Sequence, residues 1–263
     1  MIGLFDSGVG GLYSLRELRR LLPDADLCYY ADEAHLPYGG RPPHDLLRLS
    51  SRAIRFLLEQ GAGAILIACG TVSSTVYRRL AQECPVPLFD AATPLALAAA
   101  ALAESIPHAR LLLLATAGSV KAGVIADFIT AAHPDATVTA HACPDFVSLA
   151  ERLSPETEGE AEAAVRQTLT PFAHGHYDAA LLGCTHFSAL AAPISRALGG
   201  IPTLDGAALA ARAPAKTLPK KRQGLFGKTI LYTNGESRAF ARAAAHILGK
   251  ELPVLRAYEN KNH

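Results

Sequence analysis

Two of the five cysteines recur in one local setting. The strand-like run Ala-Ile-Leu-Ile-Ala at 64–68 leads into Cys69-Gly70-Thr71, and Ala-Ala-Leu-Leu-Gly at 179–183 leads into Cys184-Thr185-His186, each followed by a helical pattern. A cysteine between a strand and a helix faces the free N–H groups of the first helical turn, which favour thiolate over thiol. That placement matters for base chemistry, because an ordinary thiol of pKa about 8.5 is only a few per cent ionised at neutral pH. Two thiols on opposite sides of one carbon suit inversion of a stereocentre: one removes the α-proton from one face and the other delivers a proton to the opposite face. No cofactor is required and no metal is implied. The site must instead direct hydrogen-bond donors at a carbanionic transition state and exclude water. Cys28, Cys84 and Cys143 lack this setting and read as small hydrophobes.

Donors of that kind are offered by Phe5-Asp6-Ser7-Gly8-Val9-Gly10-Gly11-Leu12, which follows a strand-like run and whose glycines let the backbone approach a carboxylate closely. It is not a dinucleotide fingerprint, since Tyr13 stands where the third glycine is needed, and no Gly-Lys-Ser/Thr marks a P-loop. Asp6 reads either as a turn cap or as a partner for a substrate ammonium. Pro37-Tyr38-Gly39-Gly40 is turn chemistry that would also serve as a substrate loop. Cys184-Thr185-His186 invites two further readings, a Cys–His hydrolytic pair and a metal site. Sequence neighbours point in different directions, however, and no other histidine lies at ligand spacing. His186 is left as either a helix cap or a proton-relay partner of Cys184.

The elements that must carry these residues are short. Apolar runs at 2–5, 27–30, 64–68, 86–89, 111–115, 137–140, 179–183, 201–204 and 230–233 read as strands. Amphipathic segments at 12–22, 45–59, 73–82, 156–172 and 187–198 read as helices between them, so the alternation predicts βαβ units and an α/β fold with mainly parallel sheets. Ligands of such sheets bind at the carboxyl ends of the strands, where both cysteines fall. The repeated strand–Cys–helix device suggests a faint internal duplication, with a first domain of residues 1–95 plus 205–263 and a second of 96–204.

Composition narrows the function further. Half of the 263 residues are hydrophobic, mostly Ala and Leu, and formal net charge is +1, which gives no global electrostatic case for nucleic acid or an anionic membrane. The basic cluster Lys216, Lys220, Lys221, Arg222 and Lys228 sits among prolines and glycines and reads first as a solvated loop. No signal peptide is recognised, and the Ala-rich stretch at 94–103 is too short to span a bilayer. An odd number of cysteines without Cys-x-x-Cys spacing argues for reduced thiols, and a cytoplasmic location is expected.

Taken together, these residues resemble the glutamate racemase family of the cofactor-independent aspartate/glutamate racemase superfamily, which interconverts L- and D-glutamate for bacterial peptidoglycan. The landmarks are Phe-Asp-Ser-Gly-Val-Gly-Gly-Leu at 5–12, Tyr-Tyr-Ala-Asp and Leu-Pro-Tyr-Gly within 29–39, Ala-Cys-Gly-Thr at 68–71, Ala-Thr at 115–116, Leu-Gly-Cys-Thr-His-Phe at 182–187 and Tyr-Thr-Asn-Gly at 232–235. The resemblance implies two pseudo-symmetric α/β domains with the substrate, a small acidic amino acid, in the cleft between them; it allows a homodimer as the assembly, and no nucleic-acid or membrane partner is expected. It implies that Cys69 is the base toward D-glutamate and Cys184 the base toward L-glutamate. Asp6 would then help the first thiol, and His186 with Glu151 the second. Ser7, Tyr38, Gly39, Gly70, Thr71, Thr116, Ser119 and Thr185 fall where the family holds substrate, together with Asp6 and His186.

Gly70 departs from the family pattern Ala-Cys-Asn-Thr. Loss of the asparagine amide predicts weak handling of glutamate, with space for water, Glu33 or His35 in its place and a gain in kcat/KM on Gly70→Asn. Glu33 and His35 are themselves departures, as is Thr93 before Pro94. Another acidic amino acid such as aspartate is the alternative substrate. A binding or inhibitory protein that has lost turnover is the alternative of a different class.

Overall fold

Two separate parallel sheets organise the computed structural model of the chain, which describes residues 1–153, 156–218 and 226–257. The strands are β1 (Ile2–Asp6), β2 (Leu27–Ala31), β3 (Ala64–Ile67), β4 (Leu88–Phe89), β5 (Arg110–Ala115), β6 (Thr137–Ala142), β7 (Ala179–Leu182), β8 (Thr203–Asp205), β9 (Thr229–Thr233) and β10 (Val254–Arg256). The first sheet has the order β10-β9-β2-β1-β3-β4 and the second β6-β5-β7-β8, with every pairing parallel. β1 and β5 are the central strands from which each sheet grows, Ile2 lying opposite both Leu27 and Ala64, and Leu111 opposite both Val138 and Ala179.

Strands covered by helices on both faces need apolar residues at every position, which is why β5 reads Leu-Leu-Leu-Leu-Ala and β3 Ala-Ile-Leu-Ile. Successive side chains serve opposite layers. Leu111, Leu113 and Ala115 pack under the helices Ala92–Ser105 and Val124–Ala132, whereas Leu112 and Leu114 pack with Phe146, Val165 and Ile194 on the other face. In the first sheet Ile2 and Leu4 face Leu12, Leu15 and Phe240, and Phe5 faces Leu46, Leu49 and Ile54. The Ala-rich stretch at 94–103 lies within the 14-residue helix Ala92–Ser105. Its alanines allow close helix-on-sheet approach, and no helix of the described residues is long and apolar enough to cross a membrane.

Several elements differ from the sequence reading. The expected helix at 73–82 is two helices, Gly70–Thr75 and Tyr77–Glu83, broken at Val76, whose backbone (φ −124°, ψ 0°) is not helical. The break follows the run Thr71-Val72-Ser73-Ser74-Thr75-Val76, in which β-branched and hydroxyl residues have low helix propensity and Thr75 Oγ1 donates back to the Thr71 carbonyl at 2.6 Å. The pattern at 187–198 is a 3₁₀ turn, Thr185–Leu190, followed by the short helix Ala191–Ala197. β10 is too short to carry a pattern of its own. Of the basic cluster, Lys220, Lys221 and Arg222 lie outside the described residues.

After β8 the chain enters the helix Gly206–Ala210, which packs with the helices Leu12–Leu21 and Ala92–Ser105 and so bridges the two sheets. Asp205 fixes this crossing. Its Oδ1 accepts the N–H of Ala207 at 2.9 Å and the hydroxyl of Ser188 at 2.8 Å, tying the helix start to the turn after Cys184. Asp205→Ala removes the cap and leaves the Ser188 hydroxyl without its acceptor, so it is expected to lower stability by about 0.5–2 kcal/mol. A fall in the urea midpoint at unchanged slope checks this.

Candidate active site

The two cysteines lie at the carboxyl ends of β3 and β7, one in each sheet, and both line one cavity of about 160 Å³. Cys69 caps the helix Gly70–Thr75 and Cys184 precedes the 3₁₀ turn, so each is held where extended backbone turns into helix. Their exposures are 5 % and 6 %, which leaves each sulfur facing the cavity rather than bulk solvent. The first sheet also contributes Ser7 from the turn after β1 and the loop Leu36–Gly40. The second sheet contributes Thr116 and Ala117 after β5, Thr185 and His186 after Cys184, and Pro144 and Val147 around the start of the helix Asp145–Glu151. Among the described residues, no Lys or Arg lines the cavity. Among the described residues there is also no group of three His, Cys, Asp or Glu able to hold a metal ion.

Short polar contacts cross between the sheets. The Thr185 hydroxyl donates to Asp6 Oδ2 at 3.1 Å, Thr71 and Thr116 share a hydrogen bond at 2.9 Å, and Gly118 N–H donates to the Gly39 carbonyl at 2.9 Å. The loop Leu36–Gly40 is held from behind by buried Asp32. This carboxylate accepts the Tyr38 hydroxyl, the Asn234 side-chain amide at 2.5 Å and a contact from His35 Nδ1 at 2.7 Å. The Tyr-Thr-Asn-Gly segment, which spans the end of β9, thus reaches the site through Asn234.

Burial dominates the electrostatics. Burial, with Asp6 adding to it, pushes the Cys69 thiol well above the ordinary range, against the smaller opposing effect of the Val72 and Thr71 N–H groups at the start of its helix. The sequence-based expectation of an activated thiolate therefore does not hold for Cys69, whose neutral, protonated form burial favours. Asp6 is likewise pushed up by complete burial, against the opposing effects of His186, the Gly8 N–H and the Thr185 hydroxyl. His186 balances the other way. Burial presses its pKa down, but Cys184, 3.9 Å from Nδ1, and Glu151, 2.6 Å from Nε2, hold it well above the ordinary imidazole value. Cys28 and Cys143 are both pushed up to about 12 by burial, which keeps them as inert thiols.

A family profile described as Asp/Glu/Hydantoin racemase matches residues 15–213. The chain is 35% identical to a glutamate racemase of Desulforudis audaxviator over 261 residues, spanning 95% of this chain and 94% of the relative. The crystal structure of glutamate racemase from Thermus thermophilus in complex with β-chloro-D-alanine superposes with TM-score 0.84 at 35% identity, covering 97% of this chain and 96% of the other. That of the Francisella tularensis enzyme in complex with D-glutamate gives TM-score 0.86 at 25% identity, covering 98% and 97%. The chain belongs to the Asp/Glu/hydantoin racemase family.

Ten residues singled out from the sequence line this cavity: Ser7, Tyr38, Gly39, Cys69, Gly70, Thr71, Thr116, Cys184, Thr185 and His186. Three others stand one residue behind its wall. Asp6 is fully buried behind Thr185, Glu151 lies behind His186, and Ser119 lies behind Thr116, to whose Oγ1 it offers its N–H at 3.3 Å. Leu36, Pro37 and Gly40 line the cavity as part of the loop motif without having been given individual roles, and Ala117, Pro144 and Val147 were not singled out. Pro144 and Val147 carry no local signal and are brought to the wall by the packing of Phe146 on Phe187, with ring centroids 5.2 Å apart.

The space expected beside Gly70 is absent. A Cβ there would lie 2.2 Å from the Gly183 carbonyl oxygen, so neither an asparagine side chain nor a filling residue fits. Glu33 and His35 do not enter the cavity: Glu33 accepts the Thr233 hydroxyl at 2.5 Å and His35 contacts Asp32.

The Glu151–His186 contact generates a prediction. Because the folded-state pKa of His186 is raised, protonation of this residue stabilises the fold fully below the ordinary imidazole pKa, and the contribution is lost as pH rises through the raised value. Glu151→Gln removes one of the two groups that raise it. The His186 imidazole resonance, followed by NMR, should then titrate at a lower pH than in the wild type. An unmoved titration would show that Glu151 does not govern the ring.

Proposed function

We propose that the chain interconverts L- and D-glutamate by proton transfer between two thiols, without a cofactor. The observation that carries this reading is that Cys69 and Cys184 enter one small cavity from two different sheets. In the L-to-D direction, Cys184 as thiolate takes the α-proton and becomes a thiol. The electron pair left on the α-carbon is delocalised into the α-carboxylate, and Cys69 gives its proton to the opposite face and becomes the thiolate. The reverse direction exchanges these roles. Burial keeps Cys69 protonated, which is the state this first step needs. In this reading His186, backed by Glu151, assists Cys184, supported by its Nδ1 contact with Cys184 and its Nε2 contact with Glu151, and Asp6 serves the side of Cys69.

The substrate carboxylates would be held without a cationic side chain, by the hydroxyls of Ser7, Thr71, Thr116 and Thr185 and by backbone N–H groups of the glycine-rich turns. Such fixed donors stabilise developing negative charge strongly where water is excluded. We assign the two domains as residues 1–95 with 205–263 and residues 96–204, with the cavity between them. The division is supported by the sheet to which each strand belongs. A cytoplasmic location, a homodimeric assembly and a role in supplying D-glutamate for peptidoglycan complete the proposal.

The test is incubation with pure L- or D-glutamate in deuterated solvent, followed by chiral analysis and α-deuterium content. Exchange with inversion supports the reading; saturable binding without exchange defeats it. Cys69→Ser and Cys184→Ser should each lower racemisation by at least about 10²–10⁴-fold while keeping the fold, since a hydroxyl is far too weak an acid to replace the thiol. Elimination from a β-chloro amino acid should survive in one direction only, from the D isomer in Cys184→Ser and from the L isomer in Cys69→Ser. Near-normal racemisation by either variant would remove the assignment.

A further inference from the structure

The turns that bear the two cysteines touch through their main chains at Gly70. Gly70 is not among the glycines with positive φ, so its backbone conformation admits any residue and what requires glycine is space. A Cβ at this position would lie 2.2 Å from the Gly183 oxygen, 3.2 Å from the Gly183 carbonyl carbon and 3.6 Å from Cys184 Cα. The opposing peptide has nowhere to retreat. Gly183 N–H donates to the Leu114 carbonyl at 2.8 Å, and the space behind Gly183 is closed, a Cβ there meeting Ala115 Cβ at 3.0 Å. On the other side the Ala68 N–H, two residues before Gly70, donates to the Phe5 carbonyl at 2.9 Å, so each side of the contact is held to its own sheet and relief comes most directly from moving the sheets apart.

We propose that Gly70 is a positioning residue that sets the distance between the two thiols. With no side chain, the Cys69 turn seats directly on the Gly183-Cys184 backbone, and both sulfurs reach opposite faces of one α-carbon. This rests on the two-thiol reading above. Two near-attack distances of about 3–3.5 Å leave little slack. Any side chain at position 70 must open the contact by about 0.8 Å before it reaches 3.0 Å, the lower limit for Cβ contacts. Displacements of about 1 Å at a reacting pair can cost roughly 10²-fold in rate. The consequence is selective. Removing a proton and returning one to the same face needs a single thiol, whereas inversion needs both within reach of the same carbon.

The experiment uses each glutamate isomer in deuterated solvent and compares α-deuterium appearing in the unchanged isomer with that appearing in its mirror image. For Gly70→Ala, inversion is expected to fall about 10²-fold. Exchange with retention should fall far less, since the thiolate that takes the proton becomes a thiol, exchanges with solvent and returns deuterium to the face it came from. Gly70→Asn should shift the ratio at least as far, the reverse of a rescue. Inversion at the wild-type rate, or a parallel fall of both processes, would overturn the inference. A wild type that neither exchanges nor inverts either isomer would instead defeat the two-thiol reading itself. Should Gly70→Ala fail to fold, Gly118→Ala loads the same seam more lightly, its Cβ meeting the Gly39 oxygen at 3.0 Å. A smaller shift of the ratio in the same direction is expected there, and no shift overturns the inference.

Discussion

Main-chain contact between the ends of two parallel sheets is the constraint on which this structure turns. Each sheet alone ends in a shallow rim of strand-to-helix turns, and a cavity exists only because the two rims meet. They can meet because the residues along the seam are small. A Cβ at Gly10 would lie 2.5 Å from Thr185 Oγ1 and one at Gly39 would lie 3.1 Å from Thr116 Cβ, and the Gly70 contact is tighter still. Larger residues would hold the rims apart, admit water, and weaken every directed hydrogen bond in the site by raising its effective dielectric.

The same closeness couples the two halves chemically. Asp6 ends the central strand of the first sheet, yet it accepts the hydroxyl of Thr185, the residue next to Cys184. Its carboxyl is buried near Cys69 and raises that thiol. One side chain therefore bears on both cysteines, through charge on one side and position on the other. Residues that share partners in this way are energetically non-additive, so changes at Asp6, Cys69 and Thr185 would not sum. Behind the opposite wall, Glu151 holds His186 by its far nitrogen, leaving Nδ1 toward Cys184. This orients the ring as a second carboxylate often does for a working imidazole.

Local sequence carried the strands, both cysteine turns and the glycine-rich loop after β1, because period and composition are properties of a few neighbouring residues. The helix break at Val76 was also local in origin, but periodicity alone outweighed the weak helix propensity of the hydroxyl and β-branched run before it. What sequence could not carry depends on the partner surface. Glu33 and His35 are polar residues beside a substrate loop, and only the fold shows them turned toward Thr233 and Asp32. Pro144 and Val147 reach the wall because Phe146 packs on Phe187. Gly70 is the sharpest case. Seen along the chain it is a missing side chain, and seen across the cleft it is a filled contact.

This difference bears on how an acidic substrate can be held where, among the described residues, no lysine or arginine lines the wall. A cation would stabilise the bound carboxylates in ground state and transition state alike, whereas acceleration comes only from what strengthens as the α-carbon loses its proton. Hydroxyls and backbone N–H groups on short turns are fixed dipoles that need little reorganisation when that charge appears, provided the turns do not move. Their rigidity comes from the seam: Thr71 on Thr116, Thr185 on Asp6, Gly118 on Gly39 and Gly70 on Gly183. The contacts that close the cavity are therefore also the contacts that hold its donors still, so proton transfer and closure cannot be tuned independently in this chain.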